Sequence, residues 1–276
     1  MVDTGSYTLK PFPKFREIVK ESVEAGKRMN HVIGMTEYDV TKAREIIRKH
    51  KEKTKETLSF TAFIIKCLSQ AVNENKQIHA LKKGRRKVII FDDVNIRLNI
   101  ERELDGVKTA TIHVVRKANE KSYREIHDEI RRAQGAKGYS TMEVSARQQR
   151  RYRNRQKRLI AMPKIARRVV WWRLKHDPFF IQKNMGTVGV TTLGTMFRDR
   201  TGYAITSSPQ TLSVALGAIV EKPGVVNKKI EIREYLCTTV MFNHDVVDGA
   251  PAARFMTRFG DLIGEGFGLT NLDSKK

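Results

Sequence analysis

The chain has 276 residues, of which 40% are hydrophobic, enough for a sizeable core in one large domain or two small ones. No apolar run approaches the ~18 residues of a membrane span, and the N-terminal residues lack the basic-then-apolar layout of a signal peptide. The 53 Lys and Arg against 30 Asp and Glu give a formal net charge of +23, which implies an acidic partner: a nucleotide, nucleic acid, an anionic membrane or an acidic protein.

The first third of the chain alternates between helix and strand patterns. Apolar spacing predicts helices at 15–25, 41–53 and 60–73 and a strand at 31–40. Thr41 stands at the N-cap position of the second helix. The apolar residues of 60–73 recur at i, i+3 and i+4, which indicates that one face of this helix is buried.

Beyond residue 80, short apolar runs bounded by turn residues predict most of the strands. These runs are 87–91, 94–100, 108–115, 187–193, 211–219, 229–233 and 235–242. Asp92-Asp93 and Asp105-Gly106 mark two of the turns, and Ser122 caps a charged helix that ends near residue 133. A last helix is predicted at 250–263.

This order of elements predicts an α/β fold class, with a large mixed sheet covered by helices in a single domain over residues 1–276. The two cysteines, Cys67 and Cys237, lie in apolar stretches without metal-ligand spacing. They predict two buried thiols, a reducing cytoplasmic compartment and no metal site.

The segment NHDVVDG at 243–249 carries the clearest chemical signal. It places His244 and Asp248 on one tight turn between the strand predicted at 235–242 and the helix at 250–263. An imidazole is a general base suited to neutral pH, and rigid elements on both sides would hold it while leaving it accessible. The other histidines, such as His50 and His127, stand in charged helices or strands and are interpreted as structural or solvated.

Five motifs, in order along the chain, resemble one known family. They are SFTAFIIK at 59–66, DVNI at 93–96, GTVGVTTLG at 186–194, SPQ at 208–210 with GAI at 217–219, and HDVVDGAPAARF at 244–255. Together they resemble the catalytic domain of the dihydrolipoyl acyltransferases, the core component of 2-oxoacid dehydrogenase complexes, which is related in fold to chloramphenicol acetyltransferase. The resemblance spans roughly residues 11–135 and 184–264.

The resemblance implies a two-layer domain that assembles as a homotrimer, with active sites between subunits. It implies a coenzyme A-dependent acyl transfer between a thioester and a thiol, dihydrolipoyl or similar, with coenzyme A as a substrate and no metal. His244 would take the proton from the thiol, and the thiolate would attack the thioester carbonyl directly, without an acyl-enzyme.

Further site residues follow from the same resemblance. Asp248 would pair with Arg16 of the first helix and hold the histidine loop, while Gly249 would allow the turn into the next helix. Thr191 of a neighbouring subunit would supply the hydroxyl for the oxyanion, with Thr192 beside it as a substrate contact. The alternative interpretation is structural: Arg16 is a surface residue of an amphipathic helix, and the two threonines are present because threonine favours β-strands.

Three features depart from the family pattern. Family members have Asp-His-Arg where this chain has Asn243-His244-Asp245, and the acid can favour the protonated form of His244 or point away from it. The chain begins almost at the catalytic domain, so we expect the acyl donor to be a separate lipoylated protein, an acyl-coenzyme A or another thioester. Residues 268–276 are polar, so we expect a free trimer more than a larger cage.

A basic insert at 136–183 has no family counterpart. Its residues 147–175 contain twelve Lys or Arg and no Asp or Glu, and a helix is predicted after Pro163 at 164–175. One face of this helix carries Ile165, Val169 and Trp172, with Lys164, Arg167 and Arg168 largely away from it. This composition is typical of an interfacial membrane helix, so an anionic membrane surface is one candidate partner.

Two alternatives for the insert remain. Its tryptophans can pack on the trimer while its arginines are solvated, or it can bind an acidic protein. Nucleic acid is not favoured because there is a charge footprint but no binding motif. For the whole chain, the leading hypothesis is a trimeric cytoplasmic acyltransferase, with peripheral membrane contact left open. The alternative is a non-catalytic scaffold or membrane-associated trimer that reuses the fold.

Overall fold

The computed structural model describes residues 5–9, 11–12, 14–27, 29–104, 107–135, 154, 158–159, 161–197 and 200–269. Its helices are α1 Lys14–Lys27, α2 Thr41–Thr54, α3 Phe60–Glu74, α4 Tyr123–Gln134, α5 Lys164–His176, α6 Pro178–Met185, α7 Gly194–Phe197 and α8 Gly249–Glu265, with a 3₁₀ turn at Lys76–His79. Its strands are β1 His31–Asp39, β2 Leu81–Lys83, β3 Lys87–Ile89, β4 Ile96–Leu104, β5 Val107–Val115, β6 Val188–Thr192, β7 Leu212–Val226 and β8 Lys229–Asn243.

Six strands form one mixed sheet in the order β1-β8-β7-β6-β4-β5. Strand β6 runs parallel to both of its neighbours, β4 and β7, and the other neighbouring strands pair antiparallel. Strands β2 and β3 form a separate hairpin. The mixed sheet and its helical cover confirm the predicted α/β fold.

One face of the sheet packs against the helices and forms the main core. Alternate residues of the central strands enter it, since strand side chains point to opposite faces in turn. Those residues are Ile96, Leu98, Ile100, Val188, Val190, Leu212, Val214, Val240 and Phe242, and all are buried. Helix α3 contributes Phe63, Ile64 and Leu68 from the apolar face that its sequence spacing predicts.

The opposite face of the sheet, which we call the outer face, is lined by the intervening residues. The strand register aligns one row across it, namely Ile33, Met241, Ser213, Gly189 and Arg97. The next row, two residues along each strand, contains Met35, Thr239, Ala215 and Thr191. The outer face is therefore much more polar than the core face.

The β7–β8 hairpin is longer than predicted. The two patterns at 229–233 and 235–242 belong to one continuous strand, and β7 runs on through Val226 rather than ending at 219. Asn227 and Lys228 close the hairpin with φ of 49° and 63°, the positive values that a tight two-residue turn of the I′ type requires. Apolar side chains near the tip, such as Ile230 and Ile232, are 78% exposed.

Of the two helix starts predicted from capping residues, one is confirmed and one is wrong. Ser122 caps α4 in a full capping box with Glu125, as expected. The prediction for Thr41 was wrong, because Thr41 is the first residue of α2 and the N-cap is Val40. Asp39 accepts a hydrogen bond from the Thr41 amide at 2.9 Å and so takes over the capping role.

The basic helix α5 forms where predicted, but Arg167 does not lie on a solvated face. Arg167 is buried and binds Glu17 at 2.8 Å and Glu21 at 3.1 Å, both on α1. The Trp171 indole donates to Glu21 at 2.7 Å. The apolar side chains of Ile165, Val169 and Trp172 are exposed. The predicted apolar stripe is therefore the free face of α5, and its other face holds the helix against α1.

Three predicted features fall wholly or partly on residues that are not described. These are the turn at 105–106, most of the basic run at 149–158, and the C-terminal tail beyond residue 269. Among the described helices, none combines the length and the hydropathy that crossing a bilayer requires.

Candidate active site

His244 lies immediately after β8, at the start of the turn that leads into α8. Asn243, the last residue of β8, is buried and pairs with His31 of β1. The His244 amide donates to the Asn30 carbonyl at 2.7 Å, and the buried side chain of Val247 anchors the far end of the turn. The backbone that carries the imidazole is thus held by a strand, a neighbouring loop and the core.

The imidazole itself is open to solvent in the single protomer. His244 Nδ1 lies 3.9 Å from Asp248 Oδ1, with side-chain exposures of 52% and 88%. This distance allows attraction between opposite charges but exceeds a hydrogen bond. Asp248 occupies the N-cap of α8 without bonding the helix amides. Both predicted residues therefore stand together on an exposed edge.

Asp245, the acid next to His244, is held by other groups. Asn30 Nδ2 donates to its Oδ1 at 2.9 Å, and Lys82 Nζ lies 3.4 Å from its Oδ2. These hydrogen bonds, that from Asn30 above all, lower the pKa of Asp245. The carboxylate thus ties the histidine turn to β2 and to the loop before β1. Sequence reasoning missed Asn30 and Lys82, because they lie far from the motif along the chain.

Thr191 and Thr192 end β6, two strands away from β8. The register aligns Thr191 with Ala215 and then with Thr239, which is five residues before His244. Five residues along a strand and two strand spacings put Thr191 and His244 about 20 Å apart within one protomer. Thr191 is half-buried on the outer face and Thr192 is exposed. One protomer therefore does not bring the predicted base and the predicted hydroxyl together.

Two further predicted residues occupy simpler positions. Arg16 is exposed on α1, and among the described residues the ion pair of Asp248 is the one with His244. Gly249 is the first residue of α8 and has no positive φ, so the turn does not require glycine there. A β-carbon at Gly249 would meet nothing within 4 Å, so the space above the start of α8 is open.

A six-stranded mixed sheet packed against helices, with a histidine on the turn between β8 and α8, defines an α/β domain with a candidate general base at one edge of the sheet. The family profile of the "2-oxoacid dehydrogenases acyltransferase (catalytic domain)" matches residues 4–145 and 181–267. The chain belongs to this family. The residues between the two matched stretches lie within the basic insert.

Relatives and solved structures agree with this assignment. The chain is 23% identical over 259 residues to the lipoamide acyltransferase component of the branched-chain alpha-keto acid dehydrogenase complex of Bacillus subtilis (strain 168), covering 92% of this chain and 51% of that protein. It is 25% identical over 266 residues to the dihydrolipoyllysine-residue acetyltransferase component of the pyruvate dehydrogenase complex of Rickettsia conorii, covering 93% and 53%. The chain therefore spans about half the length of these two relatives.

The structure is also similar to the dihydrolipoamide acetyltransferase of Azotobacter vinelandii, with a TM-score of 0.68, 16% identity, and coverage of 97% and 96% of the two chains. A probable dihydrolipoamide acetyltransferase of Listeria monocytogenes 4b F2365 gives a TM-score of 0.67, 19% identity and 98% coverage of both chains. At 16% and 19% sequence identity, the similarity to these two structures supports the fold alone.

Proposed function

We propose that the protein transfers an acyl group between a thioester and a thiol at a site formed by two protomers. The observation that carries this proposal is the separation of about 20 Å between His244 and Thr191 within one protomer. An exposed base at one end of the sheet and a hydroxyl at the other can cooperate only if a second copy brings them together. A closed cyclic oligomer repeats such a contact at every interface, and the assembly that we propose is a trimer.

The chemistry needs one base and one oxyanion donor. His244 takes the proton of the attacking thiol, and the thiolate sulfur forms a bond to the thioester carbonyl carbon. The carbonyl π electrons move to oxygen, and the Thr191 hydroxyl of the neighbouring protomer donates a hydrogen bond to this oxyanion. When the carbonyl re-forms, the original carbon–sulfur bond breaks and the leaving thiolate takes the proton back from His244.

The residues around His244 have positioning roles. Asn30 and Lys82 fix Asp245 and hence the turn, while Asp248 favours one orientation of the imidazole through its charge. Work on the Azotobacter vinelandii enzyme concerns a serine, a histidine and an asparagine in that enzyme's mechanism, the asparagine lying four residues beyond the histidine. Asp248 stands at that spacing in this chain. The pairing of Asp248 with Arg16 stays a prediction.

For substrates, we propose coenzyme A thioesters and a dihydrolipoyl thiol. The curated relatives are components of 2-oxoacid dehydrogenase complexes, which supports this substrate class. Thr192 and the open space above Gly249 border the proposed entry to the site. A trimer is the proposed assembly.

The test is acyl transfer from a panel of acyl-coenzyme A thioesters to dihydrolipoamide, followed by release of free coenzyme A. We expect His244→Ala to lower kcat by about 10²–10⁴, the usual contribution of a positioned base. His176→Ala, at an exposed histidine of α5, is the matched control and should keep wild-type rates. Equal inactivity of wild type and His244→Ala throughout the panel would favour the non-catalytic scaffold instead.

The exposed face of α5 favours a second proposal, peripheral binding to an anionic membrane. Ile165, Val169 and Trp172 are exposed on a helix that carries several basic residues. Vesicles with anionic lipid should retain the wild-type protein, and a variant with these three residues changed to Ser should lose most of that binding. Binding that depends on salt but not on the three apolar side chains would leave only a charge effect.

A further inference from the structure

Within the part of the chain that the structure describes, four buried side-chain polar atoms have no hydrogen-bond partner. They are His31 Nε2, Arg97 Nε, Ser213 Oγ and Thr239 Oγ1. By strand register, all four belong to the outer face of the sheet. Buried polar groups are normally satisfied, so four unsatisfied atoms on one face of the sheet indicate that this face lacks polar partners among the described residues.

Of the four residues, Arg97 is the most costly to bury without a partner, because its side chain is charged. Arg97 is only 9% exposed, its Nε has no hydrogen-bond partner, and no acidic group among the described residues offsets its burial. Burial lowers the pKa of Arg97 to about 10, so it still carries a charge at neutral pH. A buried charge without a counter-charge is costly, and an anion held against it would remove that cost.

The surroundings of Arg97 suit an anion that also accepts hydrogen bonds from hydroxyl groups. Arg97 pairs with Gly189, and Gly189 pairs with Ser213. A β-carbon at Gly189 would come within 3.1 Å of both Ser208 Oγ and Ser213 Oγ, so the absence of a side chain lets these hydroxyls crowd the sheet beside Arg97. Ser208 donates to Gln210, whereas Ser213 Oγ remains available.

This arrangement lies next to the proposed oxyanion donor. Thr191 is two residues beyond Gly189 on the same strand and the same face, which places its Cα about 8 Å from that of Arg97. Exposure rises along β6 from the buried Gly189 to the half-buried Thr191 and the exposed Thr192. A thioester whose carbonyl reaches Thr191 would therefore direct a short acyl chain toward Arg97.

Building on the proposed acyl transfer, we propose that Arg97 and Ser213 select an acyl group that ends in a carboxylate. The carboxylate accepts hydrogen bonds from the guanidinium and from the Ser213 hydroxyl while the thioester carbonyl lies at Thr191. The phosphates of coenzyme A suit this site less well, because the whole pantetheine arm separates them from the reacting sulfur. Arg97 is thus a specificity-determining residue for a dicarboxylic monothioester.

The test compares succinyl-coenzyme A with butyryl-coenzyme A, which has the same acyl length but no charge. The wild type should show a higher kcat/KM for succinyl transfer. Arg97→Met should lower it for succinyl by about 10- to 100-fold, the loss expected for a charged hydrogen bond. Transfer of butyryl should change by less than about threefold. For succinyl transfer, the kcat/KM of Arg97→Lys should fall between those of the wild type and Arg97→Met. Ser213→Ala should lower the kcat/KM for succinyl transfer by a smaller factor than Arg97→Met does.

A binding measurement without an acceptor thiol separates this proposal from the acyl-transfer proposal. Succinyl-coenzyme A should raise the melting temperature of the wild type more than butyryl-coenzyme A does, and Arg97→Met should lose that difference. Equal effects of the variant on both thioesters would overturn the role of Arg97 while leaving acyl transfer intact. An oligomer that falls apart in Arg97→Met would also overturn it, because a carboxylate of a second protomer would then be the partner.

Discussion

Replacing His79 with glutamine should make the folded protein less sensitive to acid. His79, the last residue of the 3₁₀ turn, is fully buried beside Thr187, the residue before β6. Its Nε2 lies 3.1 Å from the Phe91 carbonyl, which can only accept, so Nε2 carries the proton. Its Nδ1 lies 2.8 Å from the Thr187 hydroxyl and accepts from it. The folded structure therefore stabilises the neutral form of the imidazole.

Burial lowers the pKa of His79 from 6.5 to about 4. In the unfolded chain His79 takes up a proton near its ordinary pKa of 6.5, whereas in the folded chain it does so only near the lowered pKa of about 4. The stabilising contribution of neutral His79 is therefore fully present above pH 6.5 and is lost as the pH falls toward 4. At 1.36 kcal/mol per pH unit, the loss from this residue is about 2 kcal/mol at pH 5 and about 3 kcal/mol at its limit.

Urea unfolding of wild type and His79→Gln at pH 8 and pH 5, at one fixed protein concentration, measures this contribution. The pH 8 comparison cancels the direct packing change, because the histidine is neutral in both states there. The free energy of unfolding should fall between pH 8 and pH 5 by about 2 kcal/mol less in the variant than in the wild type. An unchanged pH dependence would show that His79 is not the source.

Substitutions at three further positions, each with a control variant, test local features of the structure and the site. Ser122→Ala should lower the free energy of unfolding by about 1 kcal/mol through loss of the capping box, and Ser122→Asp should restore most of it. Gly186→Ala should destabilise the protein severely, because φ is +71° and a β-carbon would lie 2.4 Å from the Asn95 carbonyl oxygen. Its control, Gly264→Ala on open helix surface, should stabilise by about 0.5–1 kcal/mol. Thr191→Val should lower kcat by about 10²–10³ while Thr191→Ser keeps activity, and equal rates for both would remove the hydroxyl from the mechanism.

The elements that sequence patterns predicted well are those whose burial follows a period. Helix α3 buries one face, and the central strands alternate between a helix-packed face and the outer face, so the 3.6 and 2.0 periods are visible in the sequence. The distal part of the β7–β8 hairpin lacks this contrast because most of it is exposed on both faces. Strand β2 is only three residues long, too short for a period to show.

The candidate site was predictable in its catalytic motif but not in its supporting contacts. His244 and Asp248 share one turn, so their proximity follows from spacing alone. Asn30 and Lys82 reach Asp245 from distant parts of the chain, and the ion pairs of Arg167 with α1 span a similar sequence distance. Such pairs depend on how the whole sheet folds. The polar row around Arg97 became visible only once the strand register aligned it.

The measurement that tests the central claim most directly is complementation between two inactive variants. His244→Ala and Thr191→Val protomers, each inactive alone, would be mixed one to one, dissociated and reassembled, and then assayed for acyl transfer. If each site takes its histidine from one protomer and its hydroxyl from the next, random reassembly leaves about a quarter of all sites with both groups, and activity should recover to about that fraction of wild type. A mixture as inactive as either variant would place the histidine and the hydroxyl of each site in the same protomer and would contradict the account.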